Sequence, residues 1–500
     1  MILRLPDYYK EFHCIADKCK DSCCVGWEID IDEDTYEYYH QVEGEFGDRL
    51  RTEIRKGKDT SFRLHKGRCP FLNKQNLCDI VTELGETALC EICTEYPRFT
   101  LEYNDVKEKC LGLSCEEAGR IIFSKKEPIQ IEEVVLEEEY TGLSQQDYFE
   151  GEDEKSVKEV MTFENKMILE NEMSSKGEMT SEDKLEEKLE EQLEDELEEV
   201  LEDELVDEEE LDSDYTSDFD YECEQDYYEE DVPSQLADGL ELARNHCIRI
   251  MQDRSMEMVD RWIGVYLFSE QVQDAINEDQ LNKISDTIHT YSLEHLPELI
   301  QMEKIQITEQ LIAERKKSIL LKSTGKSSVH PNKIESMMTP LTLHQERMRV
   351  YQTLEVLDEE WSIAYKLVQE CFNEENLNQL NLSYEEFHKE FTKKYQEREY
   401  ELEHLAVYFL FRYVLKSVYD CDFLGKVKFG MASYLMIRDL DVERWIRNGR
   451  SYSREDRIDT ARIYSKEVEH SEDNLELMAD ALVYETVFQK EQLLRQILYV

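Results

Sequence analysis

Ten of the 14 cysteines in this chain of 500 residues fall between Cys14 and Cys115. They form C-x4-C-x3-C-C at Cys14, Cys19, Cys23 and Cys24, C-x8-C at Cys69 and Cys78, C-x2-C at Cys90 and Cys93, and C-x4-C at Cys110 and Cys115. Thiols gathered in this way either pair as disulfides or bind a soft metal. The opening MILRLPDYYKEF has no positively charged region leading into an apolar stretch, so no secretory signal is visible. A cytoplasmic, reducing setting is therefore expected, and metal ligation by these ten cysteines is the better expectation.

Spacing does not choose the metal. Structural zinc sites carry two short knuckles, and only Cys90–Cys93 and Cys110–Cys115 come near that form. The adjacent pair Cys23–Cys24 is awkward for a knuckle, whereas an iron–sulfur cluster accepts thiolates from distant loops. On spacing alone the two stand about equal. Other chemistries fall away. Cys19-x3-Cys23 starts the pattern of enzymes that cleave S-adenosylmethionine by radical chemistry, but the next ligand position is Gly26. No G-x-G-x-x-G cradle for a nucleotide occurs. The string from Ser323 to Ser327 imitates the end of a P-loop but has Leu320 where the first glycine belongs. Arg244-Asn-His-Cys247 sits inside an apolar helical repeat and is expected to be core.

The elements that must position these cysteines are mostly helical. Only 17 Gly and 8 Pro accompany 40% hydrophobic residues, which argues for helices over a turn-rich β architecture. We expect a mainly α protein in three parts: a small cysteine-rich, metal-bound domain over 1–125, an acidic insert over 126–232 and a helical bundle over 233–500. The net charge of −58 excludes a broad basic face, and with it nucleic-acid binding. Glu182 to Asp231 alone holds 28 acidic against two basic residues. Its leucines from Leu185 to Leu205 recur every fourth residue and so drift around a marginal helix. The longest apolar run, Leu405–Phe411, is far short of the ~20 residues that span a bilayer, so no membrane association is expected. Thr342-x-x-Gln345 and Ser383-x-x-Glu386 fit capping boxes, and Leu405–Leu415 should run through the centre of the bundle. Glu28-Ile-Asp-Ile-Asp32 alternates like a strand, with a helix favoured from Thr35 to Tyr39. The isolated Cys371 and Cys421 are expected to be small buried hydrophobes.

The cysteine segment resembles the flagellin lysine-N-methylases, the FliB type. The resemblance rests on Phe12-His-Cys-Ile-Ala-Asp-Lys-Cys-Lys-Asp-Ser-Cys-Cys-Val-Gly-Trp27 and the acidic run to Asp32. It continues in Cys69-Pro-Phe-Leu72 with Cys78, in Leu84-Gly-Glu-Thr-Ala-Leu-Cys90-x2-Cys93-x2-Tyr96-Pro-Arg98, and in Cys110 and Cys115. It is strong over about the first 120 residues and weaker over the helical half. It implies methylation of flagellin lysines in the cytoplasm, with S-adenosylmethionine as donor and a cysteine-ligated [4Fe–4S] cluster. Related small proteins with a C-C motif chelate zinc or iron, so the competing expectation is a non-catalytic metal-binding adaptor that recruits protein partners. Under the methylase reading Arg98 would pair with the donor's carboxylate. Asp30, Asp32 and Tyr96 are candidates for cation contact or proton acceptance, and no catalytic residue stands out. Deleting Ser181–Asp231 is expected to leave soluble protein and metal content unchanged; loss of either on purification would show that the acidic run packs into the core.

Overall fold

A computed structural model describes residues 1–20, 22–25, 29–56, 60–136, 160–162, 232–323 and 339–500. The acidic run from Glu182 to Asp231, with its leucine repeat and Cys223, lies outside the described residues, as do Gly26 and Trp27. The protein is mainly α. Among the described residues no helix is long and apolar enough to cross a membrane.

The bundle is built around the helix Phe423–Arg447, whose 25 residues span about 38 Å. Met258–Asn277, Glu399–Tyr413, Arg454–Val468 and Glu472–Tyr484 pack around it. Gly430 lets it approach Glu399–Tyr413, since a Cβ there would stand 3.2 Å from Phe409 Cβ. Leu405 to Leu415 is buried at every position, as the all-round apolar pattern predicts. Ser383 and Glu386 form the expected reciprocal box at the start of Tyr384–Lys394. Thr342 does not cap a helix. Thr339 does so instead, accepting from the Thr342 N–H, because Pro340 is suited to the first helical turn.

A five-stranded sheet lies against this bundle. It comprises β1 (Ile2–Pro6), β4 (Arg98–Tyr103), β5 (Val106–Leu111), β6 (Ile131–Val135) and β7 (Val160–Thr162), in the order β4-β5-β1-β6-β7. β1 runs parallel to β5, with Leu3 opposite Lys107, and antiparallel to β6. Leu3, Leu5, Tyr103, Leu111 and Leu113 share one core with the bundle helices. Glu108 of β5 binds Arg244 through two bonds of 2.5 and 2.9 Å, deep under the sheet. Arg244 and Cys247 are fully buried, in keeping with a core segment.

A second, smaller core forms between these strands in sequence. The helices Glu33–Gln41 and Gly44–Glu53 and the hairpin of β2 (Ile54–Lys56) and β3 (Thr60–Phe62) enclose Ile29, Tyr39, Leu50, Phe62, Phe71 and Ile80. The helix favoured from Thr35 is present, opened by Asp32. Among its described residues, Ile29 to Asp32, the alternating run before it forms no strand and pairs with β3 through a bridge between Asp30 and Ser61. Cys421 is exposed, not buried: it ends a helical turn in a left-handed conformation at φ 56°. Cys371 is half-buried.

Arg244 and Glu108 tie the sheet to the bundle without access to water. Arg244→Met should lower unfolding free energy by up to about 3–5 kcal/mol, since Glu108 then keeps only Arg4 at 3.6 Å, and Arg244→Met with Glu108→Met should recover part of it. Urea denaturation midpoints check both.

Candidate functional site

Between the small core and the sheet lies a cavity of about 1110 Å³ lined by nine of the ten clustered cysteines: Cys14, Cys19, Cys23, Cys24, Cys69, Cys78, Cys90, Cys93 and Cys115. None of the thirteen described cysteines is in a disulfide. Local backbone geometry aims several of them. Cys78, Cys90 and Cys115 each precede a helix, at Asp79–Leu84, Glu91–Glu95 and Glu116–Ser124. The sulfur of Cys69 accepts from the backbone N–H groups of Phe71 and Leu72, and that of Cys78 from Ile80 and Val81. Cys90 accepts from the N–H of Cys93, and Cys115 from Glu117 and Ala118. Such N–H donors stabilise thiolate and tune iron–sulfur centres.

The thiols also influence one another. The Cys23 thiol donates to Cys24, which lowers Cys24 to about 7 against the opposing effect of burial, with Ser22 and Arg68 helping. The same bond, with burial, pushes Cys23 up. Cys93 donates to Cys90 in the same way, lowering Cys90 and raising itself. Burial raises Cys69 to about 12 and Cys115 to about 11. Cys24 lies within electrostatic reach of Cys69, Cys78 and Cys93, and Cys14 of Cys23 and Cys115. Among the described residues no three Cys, His, Asp or Glu side chains already converge at metal-ligand spacing. The donor set, soft sulfurs from five stretches of chain around one roomy cavity, fits a cluster better than a single zinc ion, which draws four ligands to within ~2.3 Å.

Cys110 stands apart. It lies on β5, buried in the sheet–bundle core, where desolvation raises it to about 12. Strand alternation turns Lys109, its neighbour, into the cavity wall instead.

Arg98 lines the cavity; its guanidinium lies 5.2 Å from the Phe12 ring centroid and donates to the Thr94 carbonyl at 3.3 Å. Tyr96 lines it too and donates to Ser114 Oγ at 3.2 Å. Asp32 has a bracing role. Its two oxygens accept the N–H groups of Thr35 and Glu91, both at 2.8 Å, which joins the first helix to the Cys90–Cys93 turn. Against a burial cost, these bonds hold its carboxyl below the usual range. Asp30 sits at the bridge to Ser61 and does not line the cavity.

The far wall comes from the bundle. His470, between Arg454–Val468 and Glu472–Tyr484, places Nε2 2.7 Å from Ser114 Oγ. Burial, then Arg412 and Lys466, lower His470 to about 4. Lys109 pairs with Glu95 at 3.3 Å, and Lys466 completes this side. Behind it, the Glu469 carboxylate accepts from Tyr408 at 2.8 Å, Tyr413 at 2.7 Å and Arg412. No spacing pattern announces a histidine 356 positions from its partner.

A sequence model of the FliB lysine N-methylase C-terminal domain matches residues 244–496, just over half of the chain. The chain belongs to the FliB lysine N-methylase family. The lysine-N-methylases of Salmonella typhimurium and Salmonella choleraesuis are each 27% identical to it over 146 residues, 26% of this chain and 35% of theirs. The flagellar biosynthetic protein FliU of Salmonella muenchen is 26% identical over 142 residues, 26% of this chain and 80% of that protein. The chain thus aligns with about a third of the length of the lysine-N-methylases it matches. No solved structure matches it. In this FliB-family chain the part matched by the family model carries Arg412, Lys466, Glu469 and His470, whereas the ten clustered cysteines precede it.

Thiolate is the nucleophilic form, so the pKa order sets an order of reaction. In metal-free reduced protein at about pH 7.5, iodoacetamide should alkylate Cys24 well before Cys69 or Cys110, with the preference shrinking as pH rises. Peptide mass mapping against time checks this.

Proposed function

We propose that the protein is a protein-lysine N-methylase that uses S-adenosylmethionine to methylate flagellin in the cytoplasm, with a [4Fe–4S] cluster held by cysteines of the cavity. The observation that carries this reading is the meeting of nine thiols with a wall from the family's C-terminal domain around one space. The cavity, at about 1110 Å³, has room for a cluster and a nucleoside-sized donor together.

Cys24, Cys69, Cys78, Cys90 and Cys93 are the first candidates to hold the cluster, with Cys14, Cys19, Cys23 and Cys115 on the adjoining side. When bound, the cluster would supply Lewis-acidic iron to the polar end of the donor. This chain's own residues do the rest. Arg98, steadied on Phe12, offers a fork to that carboxylate. Tyr9, Phe12 and Tyr96 present aromatic surface suited to a methyl sulfonium cation. The substrate's ε-ammonium has no lone pair and an ordinary pKa of ~10.4, so the site must favour its neutral form before transfer. The apolar lining does so by excluding water.

Anaerobically purified protein should contain iron and acid-labile sulfide and absorb broadly in the visible. With S-adenosylmethionine and flagellin from the same organism it should add the mass of one methyl group per event to surface lysines. Cys23→Ser with Cys24→Ser should abolish both colour and methylation, because hydroxyls are poor ligands for iron. Cys421→Ser, remote from the cavity, should affect neither. Colourless protein with stoichiometric zinc would refute the cluster, and clustered protein without methylation of flagellin would favour a metal-binding adaptor.

A further inference from the structure

We propose that Cys14, Cys19, Cys23 and Cys115 form a second metal centre, a four-thiolate zinc site that clamps the segment 13–25 to the helix Glu116–Ser124. The inference builds on the cluster reading above. A cluster draws on about four of the nine cavity thiols, and the zinc site gives the others a separate task.

The nine thiols divide by what they pack against. Cys69 and Cys90 are buried in the small core, and Cys24, Cys78 and Cys93 pack on it. Cys115 packs instead on the core shared by the sheet and the bundle. Cys14, Cys19 and Cys23 belong to neither core. Backbone bonds repeat the division. The Cys69 N–H donates to the Cys24 carbonyl at 2.8 Å, and Leu72 bridges to Cys78, which holds three thiols of the small core together. On the other side the N–H of Lys20, next to Cys19, donates at 2.8 Å to the carboxylate of Glu116, next to Cys115. Cys14 lies within electrostatic reach of both Cys23 and Cys115. The two groups meet at Cys23–Cys24, whose thiols touch, so this adjacent pair gives one sulfur to each centre and sets the centres side by side.

The segment itself calls for a cross-link. Among its described residues from 13 to 25 none is buried, and Cys14 and Cys23 are exposed. Ala16–Lys18 forms a single helical turn within it. Ordering backbone without burying side chains is unfavourable, and metal binding by side chains contributes folding free energy of its own. Among the described residues no three such side chains already converge at ligand spacing. A strip without a core can close on an ion without disturbing packed neighbours. Cys115 is the fixed post, because Ala118, Ile121, Ile122 and Phe123 bury its helix in the bundle. The clamp thereby joins the small core, on which Cys24 and Val25 pack, to the bundle.

Four thiolates without a further ligand complete a closed structural zinc shell. An iron–sulfur cluster suits the same sulfurs, but beside the exposed Cys14 and Cys23 it would meet dissolved oxygen. Zinc has no redox chemistry to lose there.

The test is metal analysis of anaerobically purified protein, with the X-ray absorption spectrum at the zinc edge. The wild type should carry about one zinc per chain beside its iron and sulfide, with only sulfur in the zinc shell. Cys14→Ser with Cys115→Ser should lose the zinc and keep iron, sulfide and visible absorbance. Trypsin should then cleave after Lys18 and Lys20 at least about tenfold faster than in the wild type, since both lie in the released segment. A wild type with an intact cluster but no zinc overturns the proposal, as does nitrogen or oxygen in the zinc shell; neither reading needs a variant. Twice the iron of one cluster, in place of zinc, overturns it in favour of a second cluster. Iron lost together with zinc in the double variant overturns the division into two centres. Zinc without iron in the wild type refutes the cluster reading alone, and zinc retained by the double variant then overturns this proposal as well.

Discussion

The buried carboxylate of Glu469 organises the wall on which the candidate site depends. It lies on the bundle side and gathers Arg412, Tyr408 and Tyr413 in a place without water. Removing one member of such a group leaves a charge without compensation, at a cost of about 3–5 kcal/mol. Two of the three partners also reach towards the cysteine segment. Arg412 lies over Phe99 of β4, its Cζ 3.2 Å from the ring centroid, and the Tyr408 hydroxyl accepts the Leu113 N–H at 3.4 Å. Ser114 follows Leu113 and His470 follows Glu469, so one ion-pair network sets the position of both residues that meet at the cavity wall.

The same device recurs through the bundle. Glu403 receives two bonds of 2.8 Å from Arg254 and one of 3.1 Å from Arg261. Asp439 receives His344 at 2.8 Å, Tyr384 at 2.7 Å and Arg347 at 2.5 Å. Compensated charges of this kind add little net stability, but their fixed geometry rejects alternative packings of helices that are greasy on every face. A site assembled from residues hundreds of positions apart needs that registration.

The small core has a different economy. A dozen buried residues, among them Cys69 and Cys90, are few to offset the ordering of about seventy residues. Backbone N–H groups donate to the sulfurs of Cys69, Cys78, Cys90 and Cys115, against a burial that still raises Cys69, Cys78 and Cys115. Asp32 then has a clear structural task. By holding both Thr35 and Glu91 it fixes one helix of the core against the turn that presents Cys90 and Cys93.

The amino-acid sequence by itself determined whatever depends on neighbours along the chain. An all-round apolar pattern marked Leu405–Leu415 as buried, Ser383 and Glu386 marked a helix start, and the density of cysteines marked a thiol site, but the helix at the centre, Phe423–Arg447, was not marked. Local pattern erred where a neighbour in space outranked it. The alternating residues Ile29 to Asp32 met β3 through a bridge and not as a strand, Pro340 moved the cap from Thr342 to Thr339, and Cys421 closed a helical turn at the surface. Tertiary structure alone decided which thiols face one another. Cys110 belongs to the same cluster in sequence, yet strand alternation and the sheet's place on the bundle bury it elsewhere. Only folding revealed His470, because its partner lies 356 residues away and the contact is created by packing two halves of the chain around Glu469. Hydrogen bonds of that separation leave no period in a sequence, since nothing but the final geometry relates the two positions.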